Sequence, residues 1–164
     1  MAEGAPVAQV RAAVAGDADE VARLSNLLGY PAAVGTMAQR LAQVLARDDH
    51  ALFVAQRTDG ADGLLGMVAV EWRLMLELGE RGEIVAMVVD PAARRQGVGR
   101  RLIEAACDWA RRRGGEEVFL RSNVVRPEAH AFYPGIGFAR SKTQHVYVRR
   151  LDPAGVRGGS AESA

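Results

Sequence analysis

The spacing of apolar and polar residues predicts one strand followed by two helices in the first third of the chain. Partial alternation over Val7–Val14 is typical of a strand. Apolar residues then recur at helical spacing over Ala18–Leu28 and again over Pro31–Ala46. Asp17 or Asp19 could cap the first of these helices through its carboxylate. Two adjacent amphipathic helices of this kind could form one wall of a cleft.

The middle of the chain changes to β-branched and apolar residues, which favour strands. Ala51–Ala55 and Leu64–Leu76 show this pattern and are separated by a segment rich in Asp and Gly, so they predict a hairpin. Glu77–Gly82 is polar and predicts a second connection. The unbroken apolar run Ile84–Val89 is closed by Asp90-Pro91 and is more typical of a strand buried on both faces than of a helix.

The segment after this run predicts a long helix. Apolar residues over Val98–Ala110 recur at i, i+4 spacing, and Gly114-Gly115 ends the pattern as a helix C-terminus requires. Val118–Leu120 then predicts a short strand. Glu128–Tyr133 predicts a brief helix with Pro127 in its first turn.

The end of the chain predicts a last pair of strands. Gly137-Phe138 opens this pair, and Gln144–Arg150 alternates enough for an edge or hairpin strand. We expect a flexible N-terminus over residues 1–6, one domain over residues 7–151 and a flexible tail over residues 152–164.

Composition agrees with one globular domain and disfavours several other classes of protein. The 164 residues, 49% of them hydrophobic, can furnish a sizeable core. The formal charge of +1 gives no overall attraction to nucleic acid or to an anionic membrane. Cys107 is the only cysteine, which excludes an internal disulfide, and no apolar run approaches the roughly 18 residues of a membrane span. We therefore expect a cytoplasmic protein without nucleic-acid or membrane partners.

The loop between the predicted buried strand and the long helix is suited to bind an anion. It contains Arg94, Gly97 and Gly99, and backbone N–H groups point outward where a helix begins. Glycine permits close approach of the backbone to phosphate oxygens. The loop lacks the Gly-Lys of a nucleoside-triphosphatase loop, and Leu102 stands where a dinucleotide fingerprint needs its third glycine. A phosphate site is favoured over a purely structural glycine-rich turn.

The spacing Arg94-x-x-Gly97-x-Gly99 resembles the acyl-CoA pyrophosphate loop of the GNAT N-acetyltransferase superfamily. Ala129–Phe138 is similar to that family's Ala-x-x-(apolar)-Tyr-x-x-x-Gly-Phe segment. The resemblance covers about residues 7–150 and implies a single α/β (α+β) domain. Its sheet would be mixed, mostly antiparallel and flanked by helices, in the order β-α-α-β-β-β-α-β-α-β-β. It also implies acetyl-CoA as the co-substrate.

The resemblance assigns most of the cofactor contacts to the backbone. A strand segment from Met87 would pair with the pantetheine arm, although the same residues could be plain core, and both roles can hold together. The family often has an Asn seven residues before its Tyr, where this chain has Arg126; Arg126 could contact phosphate or an acidic substrate. The implied cofactor-binding residues are Met87, Val88, Val89, Arg94, Arg95, Gln96, Gly97, Val98, Gly99, Arg100 and Asn123.

Two side chains are candidates for catalysis of acyl transfer. Tyr133, at the family's Tyr position, could donate a proton to the departing thiolate, because a phenol with a pKa near 10 is protonated at neutral pH. Glu83 begins the apolar strand and could accept the proton of the amine; Glu71 is a weaker candidate. A core tyrosine with its hydroxyl satisfied elsewhere, and an exposed glutamate at a strand end, are the alternatives.

The remaining reactive residue types do not form other sites. The three histidines, of which His130 is one, are widely separated and lack ligand spacing, so we expect no metal. Cys107 lies on the apolar stripe of its helix, which favours a core role over that of a nucleophile. We expect transfer of acetyl from acetyl-CoA to a small-molecule or protein amine; a non-catalytic acyl-CoA sensor and a transferase of longer acyl groups are the alternatives. The late strands are a candidate surface for a homodimer.

Overall fold

The computed structural model describes residues 8–151. Within this range five strands form one sheet in the order β1-β2-β3-β4-β5. The first four are antiparallel to their neighbours, and β4 and β5 are parallel. The strands are β1 (Gln9–Ala12), β2 (His50–Gln56), β3 (Leu64–Met75), β4 (Gly79–Val89) and β5 (Val118–Leu120).

Four α-helices accompany the sheet over the same part of the chain. Short 3-10 turns precede the first helix and follow β4. Asp17 occupies the N-cap position of the first helix, but its carboxylate accepts from the N–H of Val14 and pairs with Arg11 on β1. The helices are α1 (Ala18–Leu27), α2 (Val34–Leu45), α3 (Val98–Arg112) and α4 (Pro127–Gly135).

Alternation along the strands divides the core between the two faces of the sheet. Met67 of β3 packs with Leu24 and Val54 in a cluster under α1 and α2. Val68, the next residue, packs with Leu102 in a cluster under α3. Successive side chains of a strand point to opposite faces, so each face of β3 is covered by different helices.

The sheet opens between β4 and β5. Only Gly82–Ile84 of β4 pair with β5, because β5 has three residues. Val85 lies at a bulge, since Ile84 pairs with Val70 and Ala86 pairs with Ala69. Beyond the bulge, the part of the chain that the structure describes places no strand against the outer edge of β4. A bulge bends its strand and increases its twist, so it helps β4 to diverge from β5.

The predicted helices, the hairpin and the short strand are confirmed, with bounds that differ by a few residues. The predicted polar connection over Glu77–Gly82 is wrong. The turn is Leu76–Leu78, and β4 begins at Gly79, which pairs with Met75. This end of the hairpin extends past the core, where Leu74 is 78% exposed, so strand pairing there satisfies the backbone without an apolar pattern.

The predicted last pair of strands is also wrong for the described range. Gly137-Phe138 closes α4 instead, as the N–H of Phe138 donates to the carbonyl of Tyr133 at 3.0 Å. Gln144–Arg150 forms no strand and is exposed. Alternation of apolar and polar residues favours a strand, but a strand also needs a neighbouring strand with which to pair. The neighbouring edge strand, β5, has only three residues for such pairing. The flexible ends predicted over residues 1–6 and 152–164 lie outside the described residues.

Candidate active site

The turn that leaves β4 is fixed by Asp90. Its Oδ1 accepts from the N–H of Ala92 at 2.9 Å, and Pro91 begins the short 3-10 turn. Its Oδ2 accepts from Nη1 of Arg23 on α1 at 2.5 Å, while Nη2 of Arg23 donates to the carbonyl of Leu64 at 2.8 Å. The N–H of Ala92 and then the guanidinium of Arg23 hold the pKa of Asp90 below its ordinary value. These three hydrogen bonds therefore fix the start of the loop against α1 and β3.

The loop before α3 adopts a backbone shape that suits an anion. Arg95 and Gly97 both have left-handed backbone angles, with φ of 62° and 76°. Gly97 is the N-cap residue of α3, and no side chain caps that helix. The N–H groups of the first helical turn, from Val98 to Arg100, have no intrahelical partner. Left-handed residues beside an uncapped helix start form the kind of concave N–H surface that binds phosphate.

Gly97 and Gly99 are required for different reasons. A Cβ on Gly97 would meet nothing within 4 Å, so its positive φ is the reason for glycine. A Cβ on Gly99 would lie 2.9 Å from Cε of Met87 and 2.9 Å from Cζ of Phe132. The second glycine thus lets α3, β4 and α4 meet closely. The sequence alone suggests one reason for both glycines, namely close approach of the backbone to phosphate oxygens.

The outer edge of β4 is open along its second half. Along Val85–Val89 the N–H and C=O groups that face away from β3 are unpaired by any strand in the described range. Such an edge can add an extended chain through main-chain hydrogen bonds. Asn123, beyond β5, uses its Oδ1 to accept from the N–H of Val125 at 3.1 Å. Its side-chain carbonyl therefore shapes its own loop, which leaves the NH₂ group for other contacts.

Tyr133 lies on α4 among apolar groups beside β4. Its ring centroid is 5.2 Å from that of Phe132 and 5.7 Å from that of Phe138, both edge to face. Its hydroxyl contacts Sδ of Met87 at 4.0 Å, and sulfur is a weak acceptor. Burial raises the pKa of the Tyr133 phenol above its ordinary value, and the charge of Arg126 acts in the opposite direction. The hydroxyl is therefore protonated at neutral pH.

Glu83 is a buried carboxylate held by two arginines. Its side chain is 4% exposed, so the alternative of an exposed glutamate at a strand end is wrong. Nη1 of Arg73 donates to Oε2 at 2.5 Å, and Nη1 of Arg121 forms an ion pair with Oε1 at 3.1 Å. Each oxygen keeps a lone pair, because an ionised carboxylate offers about four acceptor positions. Glu71 lies directly opposite on β3, with its Oε1 3.4 Å from Nε2 of His50.

Sequence reasoning did not identify Arg73 and Arg121 as site residues. Arg73 lies on the strand before Glu83, and Arg121 follows β5, so both depend on the pairing of three strands. Only the register could have shown them together. Arg126 is at the N-cap position of α4, where its Nη2 donates to the carbonyl of Leu28 after α1 at 3.0 Å.

The other reactive residues lie apart from this site. Cys107 is half-buried on α3, and burial raises the pKa of its thiol, which disfavours a thiolate nucleophile. Among residues 8–151 no group of three or more His, Cys, Asp or Glu side chains could hold a metal ion. Over that range no helix is long and apolar enough to cross a bilayer.

Comparisons with known proteins agree with this geometry. Residues 20–138 match the model of the acetyltransferase (GNAT) family. The chain is 35% identical over 99 residues to glucosamine 6-phosphate N-acetyltransferase 1 of Oryza sativa subsp. japonica, a match that covers 58% of this chain and 57% of the rice protein. The chain thus spans little more than half the length of that relative.

Two solved structures share the fold over almost their whole length. An aminoglycoside 6'-N-acetyltransferase from Acinetobacter haemolyticus superposes with a TM-score of 0.75 at 21% identity, covering 88% of this chain and 99% of that one. The aminoglycoside N-acetyltransferase AAC(6')-Iy in complex with CoA gives a TM-score of 0.80 at 17% identity, covering 92% of this chain and 100% of that one. By its family match, and in agreement with its fold, the chain belongs to the acetyltransferase (GNAT) family.

Proposed function

We propose that the protein is an acetyl-CoA-dependent N-acetyltransferase that transfers the acetyl group directly to an amine. The observation that carries this proposal is the continuity of two backbone surfaces. The open edge of β4 leads into the loop of Arg95 and Gly97 and the uncapped start of α3. An extended arm that ends in a diphosphate matches that sequence of surfaces. We propose residues 7–151 as the catalytic domain.

The residues present fit such a co-substrate. The N–H groups of the loop and of the first turn of α3, over Arg95–Arg100, would hold the diphosphate with the Arg94 side chain beside them, and the edge of β4 at Met87–Val89 would hold the arm. Asn123 would contribute its NH₂ group from the chain after β5. Bound acetyl-CoA supplies an activated acetyl thioester, whose carbonyl a backbone N–H of β4 can polarise.

The protein's own groups then handle the two protons of the transfer. As the C–N bond forms and the C–S bond breaks, Tyr133 gives the proton of its hydroxyl to the departing sulfur. Glu83 accepts the proton lost by the amine, directly or through water, at a lone pair that Arg73 and Arg121 do not use. Proton return from Glu83 to Tyr133 through solvent restores both groups.

Two measurements test this function. Titration calorimetry with CoA should show saturable binding, and release of free thiol from acetyl-CoA should depend on an added amine. Protein that is folded by circular dichroism but does not bind CoA at millimolar concentration would contradict the proposal. Binding without turnover of any amine would support the acyl-CoA sensor instead. Faster turnover of longer acyl-CoAs than of acetyl-CoA would support a transferase of longer acyl groups.

We further propose that two copies of the chain associate through the end of the sheet. The outer edge of β5 has no strand partner among the described residues. Val146, Tyr147 and Val148 are 84%, 91% and 87% exposed. The alternating segment of one copy could pair with the open β5 edge of the other copy, and this pairing would bury the segment and the edge. Analytical ultracentrifugation should show a dimer that Val148→Lys weakens, whereas a monomer at all concentrations would contradict this proposal. A cytoplasmic location remains a prediction from the sequence.

A further inference from the structure

The face of the sheet opposite α3 carries a row of charged side chains. Glu71 and Glu83 are opposite each other on β3 and β4, and Arg73 lies two residues farther along the same face of β3. Ala69, two residues before Glu71 on that face, packs against the cluster under α1 and α2. The charged row therefore begins where the apolar cover of these helices ends.

Each carboxylate of this row has a basic side chain beside it. Glu83 is shared by Arg73 and Arg121, which leaves one positive charge in excess. The Arg121 side chain is 56% exposed, so most of its donors face solvent. Glu71 lies 3.4 Å from His50. The row thus holds two carboxylates and two arginines, and its available cationic donors are those of Arg121.

Arg126 adds a positive charge at the side of the candidate acid. Its guanidinium reaches from the start of α4 to the carbonyl of Leu28, so it bridges the space between α4 and the end of α1. Its charge is close enough to oppose the rise in the pKa of Tyr133. The polar contact that it makes within residues 8–151 is to a main-chain carbonyl and not to a carboxylate. A guanidinium has five N–H donors, so most remain available.

These positions constrain the acceptor. The diphosphate would lie at the start of α3 and the departing sulfur beside Tyr133, so the amine would enter from the side of α1, where Arg126 reaches the carbonyl of Leu28. Resting on the proposed transferase function, we propose that the acceptor amine carries a phosphate or carboxylate group and that Arg126 binds this group. The planar fork of arginine matches both anions. A polycationic acceptor would meet like charges of Arg126 and Arg121 instead.

Matched pairs of amines that differ only in the anionic group test this inference. We would compare glucosamine 6-phosphate with glucosamine, and an amino acid with its amide, at fixed ionic strength. The anionic member of at least one pair should have a kcat/KM higher by about tenfold or more, as expected for charge-assisted hydrogen bonds. The pair that shows the preference distinguishes phosphate from carboxylate.

Variants of Arg126 separate this role from a structural one. Arg126→Gln should lower kcat/KM for the anionic member at least about tenfold more than for the neutral member, and Arg126→Lys should restore part of the difference. Arg111→Gln is the matched control, because Arg111 is exposed near the other end of α3 and pairs with Asp108. Equal kcat/KM within both pairs, or an unchanged preference in Arg126→Gln, would overturn the inference.

Equilibrium binding distinguishes failure of this inference from failure of the transferase function. The same pairs would be titrated into protein saturated with CoA, where no acetyl group can be transferred. Tighter binding of an anionic member that Arg126→Gln removes would support the anion site even if no amine were acetylated. Turnover of the neutral members with equal binding of both members would support the enzyme and overturn the anion site.

Discussion

The two sides of β4 are built in different ways. On the α3 side, the candidate cofactor site consists of backbone: an open strand edge, two left-handed residues and an uncapped helix start. On the α1 side, the candidate acceptor site consists of charged side chains, with Glu83 between Arg73 and Arg121. A backbone site depends on the shape of one local segment. A side-chain site depends on residues that several elements bring together.

This difference indicates which of the two sites can change when side chains are substituted. Backbone amides bind a diphosphate whatever the neighbouring side chains are, provided that glycine stands where φ is positive. The charge of the acceptor face, in contrast, changes with each side chain on it. We therefore expect substitutions in the loop and at the start of α3 to act on CoA binding, and those on the α1 side to act on the acceptor and on the proton that Glu83 accepts.

Tyr133 packs beside Met87 in the cluster under α3, and its removal should give the largest effect on turnover. Tyr133→Phe keeps the ring contacts with Phe132 and Phe138 but loses the proton donor, so kcat should fall by about 10²–10⁴ while the Kd of CoA is unchanged. Stopped-flow thiol release and calorimetry would measure the two quantities. Tyr147→Phe, at a side chain that is 91% exposed, is the control. Full turnover by Tyr133→Phe would exclude Tyr133 as the acid.

The pH dependence of turnover is a second test of Tyr133 as the general acid. Burial raises the pKa of Tyr133, so the proton-donating form persists at and beyond pH 10, and kcat should fall only as pH rises through the raised value. The same sign applies to stability: the contribution of the neutral phenol is present below its unfolded pKa and is lost as pH rises toward the folded one. A kcat that already fell near pH 8 through this group would contradict the assignment.

Gly99 tests the α3 side through packing. Gly99→Val should displace Met87 and Phe132, because even a Cβ would lie 2.9 Å from atoms of both. We expect a loss of about 1–3 kcal/mol in the free energy of unfolding, as for other overpacked sites. CoA binding should weaken as well, since Met87 lies on the strand edge that would hold the arm. Urea denaturation and calorimetry check this, with Gly35→Val as the control because an added Cβ there meets nothing within 4 Å. Unchanged stability would show that the glycine is not needed for packing.

Glu83 tests the α1 side through charge. Glu83→Gln keeps the size of the side chain but removes the charge, so kcat/KM for the amine should fall about tenfold or more while the Kd of CoA is unchanged. Stability should fall by only about 1–2 kcal/mol, because Arg73 and Arg121 are 43% and 56% exposed and can turn to solvent. Glu117→Gln is the control, because Glu117 is 67% exposed and pairs with Arg81 at the sheet edge. A stability loss with an unchanged kcat/KM would indicate a structural role alone.

The same difference explains what the sequence could predict. The loop at Arg94–Gly99 lies within one strand–loop–helix segment, so its glycines and the apolar stripe of α3 were visible locally. The partners of Glu83 were not, because Arg73 and Arg121 are brought to it by the register of β3, β4 and β5. Gln144–Arg150 was misassigned for a related reason: alternation predicts a strand but cannot supply the edge with which it pairs.

Arg95 gives the smallest expected effect and the sharpest test of the backbone site. Its φ of 62° is unfavourable for any residue with a Cβ, by roughly 1–2 kcal/mol, and glycine removes that cost. Arg95→Gly deletes the guanidinium but favours the same backbone shape, so the Kd of CoA should change by less than about threefold if amides bind the diphosphate. Arg95→Ala deletes the same side chain and keeps the backbone cost. A weaker Kd for Ala than for Gly would show that loop shape determines affinity, whereas an equal loss of tenfold in both would show that the guanidinium itself binds phosphate and that the α3 side, too, depends on side chains.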